Sequence, residues 1–223
     1  MLDVYYLYSP SRGQEGTDLS KRVYDRKTND FTMNLFEISL GAQVDNISFY
    51  AELDFGDFAE QNSPHNDDPS NHNIGEAYLS YKISESTSVS AGKMYTHVGY
   101  EVAKAMDNWN YSRSWAFTLA GPFWHEGVAL SHSYENGLSV GAYVYDSWDA
   151  TSENNANKTV GAQLGYSNEK LSFYLNYIGG AEKDSSANIK SVVEFNTQYQ
   201  VNEKLAIAVN GVSGTNQGAA TPE

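Results

Sequence analysis

Cysteine is absent from the 223 residues, which removes disulfide frameworks and thiolate metal sites together. Basic residues are scarce: 14 Lys plus Arg against 28 Asp plus Glu leave a formal net charge of −14. Nothing supplies a basic patch for phosphates, which argues against nucleic acid as a partner. No long apolar run exists and the mean hydropathy is −0.53, excluding a membrane-spanning helix. A membrane is not excluded with it. A barrel strand turns only alternate residues to lipid, so its average hydropathy resembles that of a soluble protein.

What the chain does contain is alternation. Over 47–55, Ile47, Phe49, Ala51, Leu53 and Phe55 make one face, and Ser48, Tyr50, Glu52 and Asp54 make the other. A period of two sustained over roughly ten residues is the length of a tilted strand crossing a bilayer, lipid on one side and water on the other. Such runs fall at 2–8, 31–43, 47–58, 73–83, 87–95, 123–134, 138–147, 158–166, 171–178, 189–200 and 205–213. The breaks between them are alternately short, as at Asp45-Asn46 and Glu135-Asn136-Gly137, and long, as at 9–30, 59–72, 96–122, 148–157 and 179–188. Short turns at one end and long loops at the other predict an all-β, antiparallel up-and-down transmembrane barrel in a single domain, 1–223. The 17 tyrosines, four tryptophans and nine phenylalanines exceed what a core of this size needs and suit two interfacial girdles.

Register follows from pairing apolar with apolar. A two-residue turn at Asp45-Asn46 sets Val44, Ala42, Leu40 and Ile38 opposite Ile47, Phe49, Ala51 and Leu53, with Gly41 opposite Tyr50. The turn at 135–137 sets His132, Leu130 and Val128 opposite Val140, Ala142 and Val144, and pairs Gly127 and Ala129 with Tyr145 and Tyr143. A tyrosine over a cross-strand glycine recurs. Two places break the pattern. Phe31, Met33 and Leu35 have the wrong parity for Ile38 and Leu40, which requires a bulge near Phe36 or packing under a loop. Lys93 falls on the lipid face, so it either snorkels or marks a phase shift.

The first and eleventh strands run in the same direction, so joining them would make a parallel seam, whereas bacterial barrels close antiparallel with an even strand count. The expectation is a fragment that lacks a leader and at least one closing strand, since Met1 leads at once into strand and the chain ends on a polar stretch at 219–223.

The segment 96–122 is too long and too aromatic to be a simple connector. Folding into the barrel, it would place Glu101, Asp107 and Arg113 at a constriction. On the wall, the register puts Glu37 opposite Asp54 with Glu52 beside them and Glu76 on the next strand, all facing the lumen. Opposed like charges are tolerable in a wide wet pore, where repulsion falls to about 1 kcal/mol, and such a wall favours cations. Neutralisation by Lys82, Arg113 or absent strands is the alternative.

Gly92-Lys93, Gly99-Tyr100-Glu101, Asp107-Asn108-Trp109-Asn110-Tyr111-Ser112-Arg113-Ser114 and Pro122-Phe123-Trp124-His125-Glu126-Gly127-Val128 together resemble the OmpL-like β-barrel porins of Gram-negative bacteria, most strongly over 90–130. The resemblance implies an outer-membrane porin for small hydrophilic solutes or ions, surrounded by outer-membrane lipid. A homo-oligomer is left open because no interface is legible in one sequence.

Enzymatic readings fare poorly. Gly137-Leu138-Ser139-Val140-Gly141 matches the serine-nucleophile pattern but begins a strand, with Ser139 facing the lumen and His132 the lipid. His97, His125 and His132 lack metal-ligand spacing. The acidic loop 65–73 lacks the glycine and spaced acids of a calcium loop. The sequence therefore predicts no catalytic residues, no metal and no cofactor. A non-conducting barrel serving as adhesin or enzyme is the first alternative, and a soluble secreted carbohydrate-binding β-protein the second.

Overall fold

The computed structural model describes residues 1–10, 19, 22–62, 72–150, 155, 157–182 and 189–216. Eleven strands form one sheet in sequence order. They are β1 (Leu2–Tyr6), β2 (Phe31–Val44), β3 (Ile47–Phe55), β4 (Ile74–Ser84), β5 (Thr87–Tyr95) and β6 (Trp124–Ser133), followed by β7 (Leu138–Tyr145), β8 (Thr159–Ser167), β9 (Leu171–Ala181), β10 (Ile189–Asn202) and β11 (Leu205–Asn216). Every neighbouring pair is antiparallel. Among the described residues β1 and β11 do not pair, so the sheet curves without closing.

The hairpin registers follow the hydrophobic alternation. Val44 pairs with Ile47, Leu40 with Ala51 and Ile38 with Leu53, and Val128 pairs with Val144 and Leu130 with Ala142. One face carries an unbroken apolar band, with Leu40 59 % and Leu79 55 % exposed. A contiguous apolar face of that extent is far beyond what a soluble monomer leaves bare, and it is the surface a bilayer covers. The concave face carries the complementary polar set: Ser80 and Ser90 share a 2.6 Å hydroxyl hydrogen bond, and Gln163 Nε2 donates to Asn176 Oδ1 at 2.9 Å.

Cross-strand glycines let tyrosines lie flat on this face. Gly92 opposes Tyr78, Gly127 opposes Tyr145 and Gly165 opposes Tyr174. A Cβ on Gly127 would collide with the Val144 carbonyl and come within 2.9 Å of the Tyr145 ring.

The irregular positions have specific causes. Asp3 pairs with Leu35 but Val4 with Met33, so Asn34 is an extra residue that flips the parity of β2. Phe31 and Met33 thereby stay outside with Phe36, while Leu35 is 1 % exposed. A second shift skips Gly75 opposite Glu52 and Leu53. Lys93 is buried: it donates to the Ile74 carbonyl and lies 4.2 Å over the Trp124 ring. Its ladder partners Ala77 and Glu126 continue the register of Gly92 with Tyr78 and Gly127, so no phase shift occurs; Lys93 keeps the parity of Val89 and Ala91, and its side chain is tucked against Trp124 rather than exposed to lipid.

Strand ends also depart from the alternation. The third run stops at Phe55 rather than 58, because Gly56 turns the chain at φ 102° with its Cα facing the Met33 and Asn34 carbonyls; a short helix α1 (Asp57–Asn62) follows. The ninth, tenth and eleventh strands run farther than the alternation alone marks, as their ladder continues to Ala181, Asn202 and Asn216.

Candidate functional site: an acidic wall and an inward loop

The segment after β5 builds a turn of 3-10 helix (Ala105–Asp107) and a short helix α2 (Trp115–Ala120), regular structure that the aperiodic sequence of 96–122 did not signal. Ser114 caps α2, accepting from Phe117 N at 3.3 Å, and the Ser114 backbone N–H donates to both Glu101 oxygens at 3.0 and 3.1 Å. The loop crosses the concave face and touches opposite walls. Tyr100 Oη donates to Gln198 Oε1 on β10 at 2.9 Å, Tyr111 Oη to Asp3 on β1 at 3.1 Å, and Gln163 Nε2 on β8 to the His97 carbonyl at 3.2 Å. Val98 joins Tyr145, Ile178 and Val192 in one buried apolar cluster, and Ala103 joins Val23, Tyr24, Leu35 and Phe58 in another.

Under the loop lies the acidic wall. Glu37, Glu52 and Asp54 are 8 %, 0 % and 1 % exposed, and each offers an oxygen within 4.8 Å of the others. Lys104 reaches in from the loop, its Nζ 2.9 Å from Glu37 Oε2 and 2.5 Å from Glu52 Oε2. Tyr50 Oη donates to Glu52 Oε2 and Tyr95 Oη to Glu52 Oε1, both at 2.9 Å. Glu76, opposite Glu52 on β4, accepts from the Tyr95 backbone N–H at 2.8 Å. Burial alone would lower the Lys104 pKa, but its hydrogen bonds and charge interactions with Glu52 and Glu37 outweigh that and hold the ammonium well above the usual lysine range.

The sequence thus places the wall carboxylates together correctly but misjudges what surrounds them. Glu37, Glu52 and Asp54 are covered by the loop rather than dispersed in open water, and it is Lys104, not the Lys82 or Arg113 that the sequence offers as alternatives, that neutralises part of their charge. Lys82 pairs with Glu85 at the turn. Arg113 is a strut: its guanidinium donates to the carbonyls of Val102, Ala103 and Tyr111 and packs 5.1 Å from the Tyr24 ring. Glu101 and Asp107 line a cavity of about 380 Å³ between loop and wall, with Tyr95, Lys104, Phe117 and Phe123.

Two further features escaped sequence reasoning. Glu194 accepts from three amides, those of Asn176, Asn196 and Asn210 on β9 to β11, a motif visible only once the strands are registered side by side. His97 stacks on Tyr143 with centroids 3.9 Å apart and hydrogen-bonds the Tyr145 hydroxyl at 3.1 Å and the Tyr177 carbonyl at 3.0 Å. Burial pulls its pKa down to about 4. Of the decoys, His132 pairs with Thr87 Oγ1 at 2.7 Å, and the 65–73 stretch lies outside the described residues except for His72 and Asn73.

An up-and-down antiparallel sheet, apolar outside, polar inside and crossed by an inward loop, defines a membrane β-barrel protein of porin type. The chain belongs to the family described as putative β-barrel porin-2, OmpL-like, whose model matches residues 1–223. No curated protein and no solved structure matches it.

Proposed function

We propose that the protein is an outer-membrane porin of a Gram-negative bacterium, passing small hydrophilic solutes or ions by passive diffusion through a bore narrowed by loop 96–122. The observation that carries this reading is the loop's course: it is fixed to β1, β2, β3, β8 and β10 across a polar concave face while the opposite face is apolar. Membership of a porin family supports it. Glu101, Asp107 and Lys104 line the passage side of the loop, and Glu37, Glu52, Asp54 and Glu76 supply the wall behind it. With more carboxylates than cations in this region, the preference is for cations. The reading assigns the protein no catalytic step.

Reconstitution in a planar bilayer tests the proposal. Stepwise conductance is expected, larger when 103–113 is replaced by a short Gly-Ser link, with a cation-selective reversal potential across a salt gradient. One observation favours a second reading: Tyr24, Leu35, Phe58 and Ala103 form an apolar knot inside the concave face. If that knot seals the bore, the protein is a plugged barrel that inserts into lipid and conducts nothing.

A further inference from the structure

Asp54 is 1 % exposed, and its Oδ1 has no hydrogen-bond partner among the described residues. Among the described residues its Oδ2 accepts one long contact, 3.5 Å, from the Tyr95 hydroxyl. A buried carboxylate oxygen without a donor is costly, and the cost is borne where two more carboxylates converge. Position 75 reinforces the point. The extra residue in β4 is glycine, and a Cβ there would strike Asp54 Oδ2 and lie 2.8 Å from Glu52 Oε1. The backbone leaves room at the point where the oxygens gather.

Charge accounting points the same way. Among the described residues, Glu37, Glu52 and Asp54 have one ammonium within ion-pair distance, that of Lys104 on Glu37 and Glu52, while Lys93 attracts Asp54 only at longer range. Buried charge is tolerated when it is paired, and here the pairing is incomplete. The donor set is all oxygen, contributed by carboxylates on adjacent strands rather than by a rigid octahedral cage. That combination suits calcium, which takes six to eight oxygens in flexible geometry, better than magnesium, which demands a near-ideal octahedron. A cavity of about 380 Å³ is lined by Tyr95 and Lys104, both of which hydrogen-bond Glu52, and so lies next to the cluster.

We propose that Glu37, Glu52 and Asp54 form a calcium site for which the Lys104 ammonium is the tethered competitor. Calcium entering between the carboxylates displaces Lys104 and with it the turn Ala105–Asp107, freeing the middle of the loop. The binding half of this proposal stands on the wall geometry alone. Its consequence for the width of the bore rests on the pore reading above.

Isothermal titration of the refolded 223-residue protein in detergent, stripped with chelator and titrated with calcium chloride, tests the site. Saturable binding is expected, with magnesium at least tenfold weaker. Asp54→Asn weakens calcium binding by about tenfold or more, and Lys104→Met tightens it by about tenfold, equivalent to ~1.4 kcal/mol of competition removed. Titration of the unsubstituted protein keeps the test valid where either variant does not fold. Absence of saturable calcium binding to the unsubstituted protein overturns the proposal, as does calcium binding indifferent to Asp54→Asn. Calorimetry requires no conduction, so a protein that binds calcium yet gives no bilayer current sinks the pore and spares the site. One that conducts but shows no calcium heat does the reverse.

Discussion

Lys104 Nζ lies 2.5 Å from Glu52 Oε2 although the residues are 52 positions apart, and this contact ties the inward loop to the barrel wall. Glu52 is fully buried and the Lys104 side chain is 18 % exposed. Breaking such a pair by deleting one partner is costly, about 3–5 kcal/mol, because the other charge is left buried. The cost is asymmetric. Lys104→Met takes the ion-pair partner from two buried carboxylates, Glu37 and Glu52, whereas Glu52→Gln leaves Lys104 its Glu37 partner. We expect Lys104→Met to lower the urea midpoint in detergent distinctly more than Glu52→Gln, and to raise single-channel conductance as the loop loosens. Equal losses would contradict the assignment of Lys104 as the principal counter-charge.

The glycines facing tyrosines are not equivalent. At Gly127 an added methyl meets the Val144 carbonyl and the Tyr145 ring, so Gly127→Ala forces backbone or ring to move at about 1–3 kcal/mol. At Gly41, also opposite a tyrosine, the nearest atom to such a methyl is 3.9 Å away. Gly41→Ala is expected to stay within about 0.5 kcal/mol of the parent. Paired urea unfolding curves check the contrast, and a similar loss at both positions would show that tyrosine stacking, not steric room, sets the cost.

How much of this was readable beforehand depends on whether a residue's surroundings are periodic. Strands, turns and the registers of β2 with β3 and β6 with β7 follow from alternation, because a one-residue slip would turn the Ile38 and Leu40 face to water. The same logic flags the break in β2 and offers a bulge near Phe36 or packing under a loop; the ladder shows the bulge at Asn34, with Leu35 buried beneath the loop. Lys104 was invisible for the converse reason. It lies in Val102-Ala103-Lys104-Ala105-Met106, a stretch with no period, and its partners Glu37 and Glu52 are on strands reached only by the loop's path through space. The sequence puts Arg113 at the constriction with Glu101 and Asp107, because nothing in it shows that the guanidinium is spent on three carbonyls of its own loop.

His97 gives the acid limb of stability a definite sign. Burial lowers its pKa to about 4, against about 6.5 in an unfolded chain. Above pH 6.5 both states hold it neutral and it contributes nothing to the pH slope. As pH falls from 6.5 towards 4, the unfolded chain gains a proton that the folded chain refuses, so stability drops; below 4 the loss levels off. The groups around it are the Tyr143 ring, the Tyr145 hydroxyl, the Tyr177 carbonyl and, at longer range, His125, and none supplies a carboxylate to reverse the direction. His97→Gln should flatten the difference in urea midpoint between pH 7 and pH 4.5. Parallel curves for parent and variant would place His97 in water rather than against the tyrosines.

Arg113 and Asp107 separate holding the loop from lining it. The planar fork of Arg113 reaches the Val102, Ala103 and Tyr111 carbonyls at once and lies over Tyr24, a geometry that a lysine's point charge cannot copy. Arg113→Lys is therefore expected to act as a loss of structure: faster proteolytic nicking within 96–122 and noisier single-channel currents, at nearly unchanged net charge. Asp107 is exposed at the cavity and is bonded to the loop through its backbone, the N–H donating to the Lys104 carbonyl at 3.3 Å. Asp107→Asn should leave nicking unchanged and shift only the reversal potential, towards weaker cation preference. The opposite result, with Asp107→Asn loosening the loop and Arg113→Lys altering selectivity alone, would return Arg113 to the bore and make the strut an error.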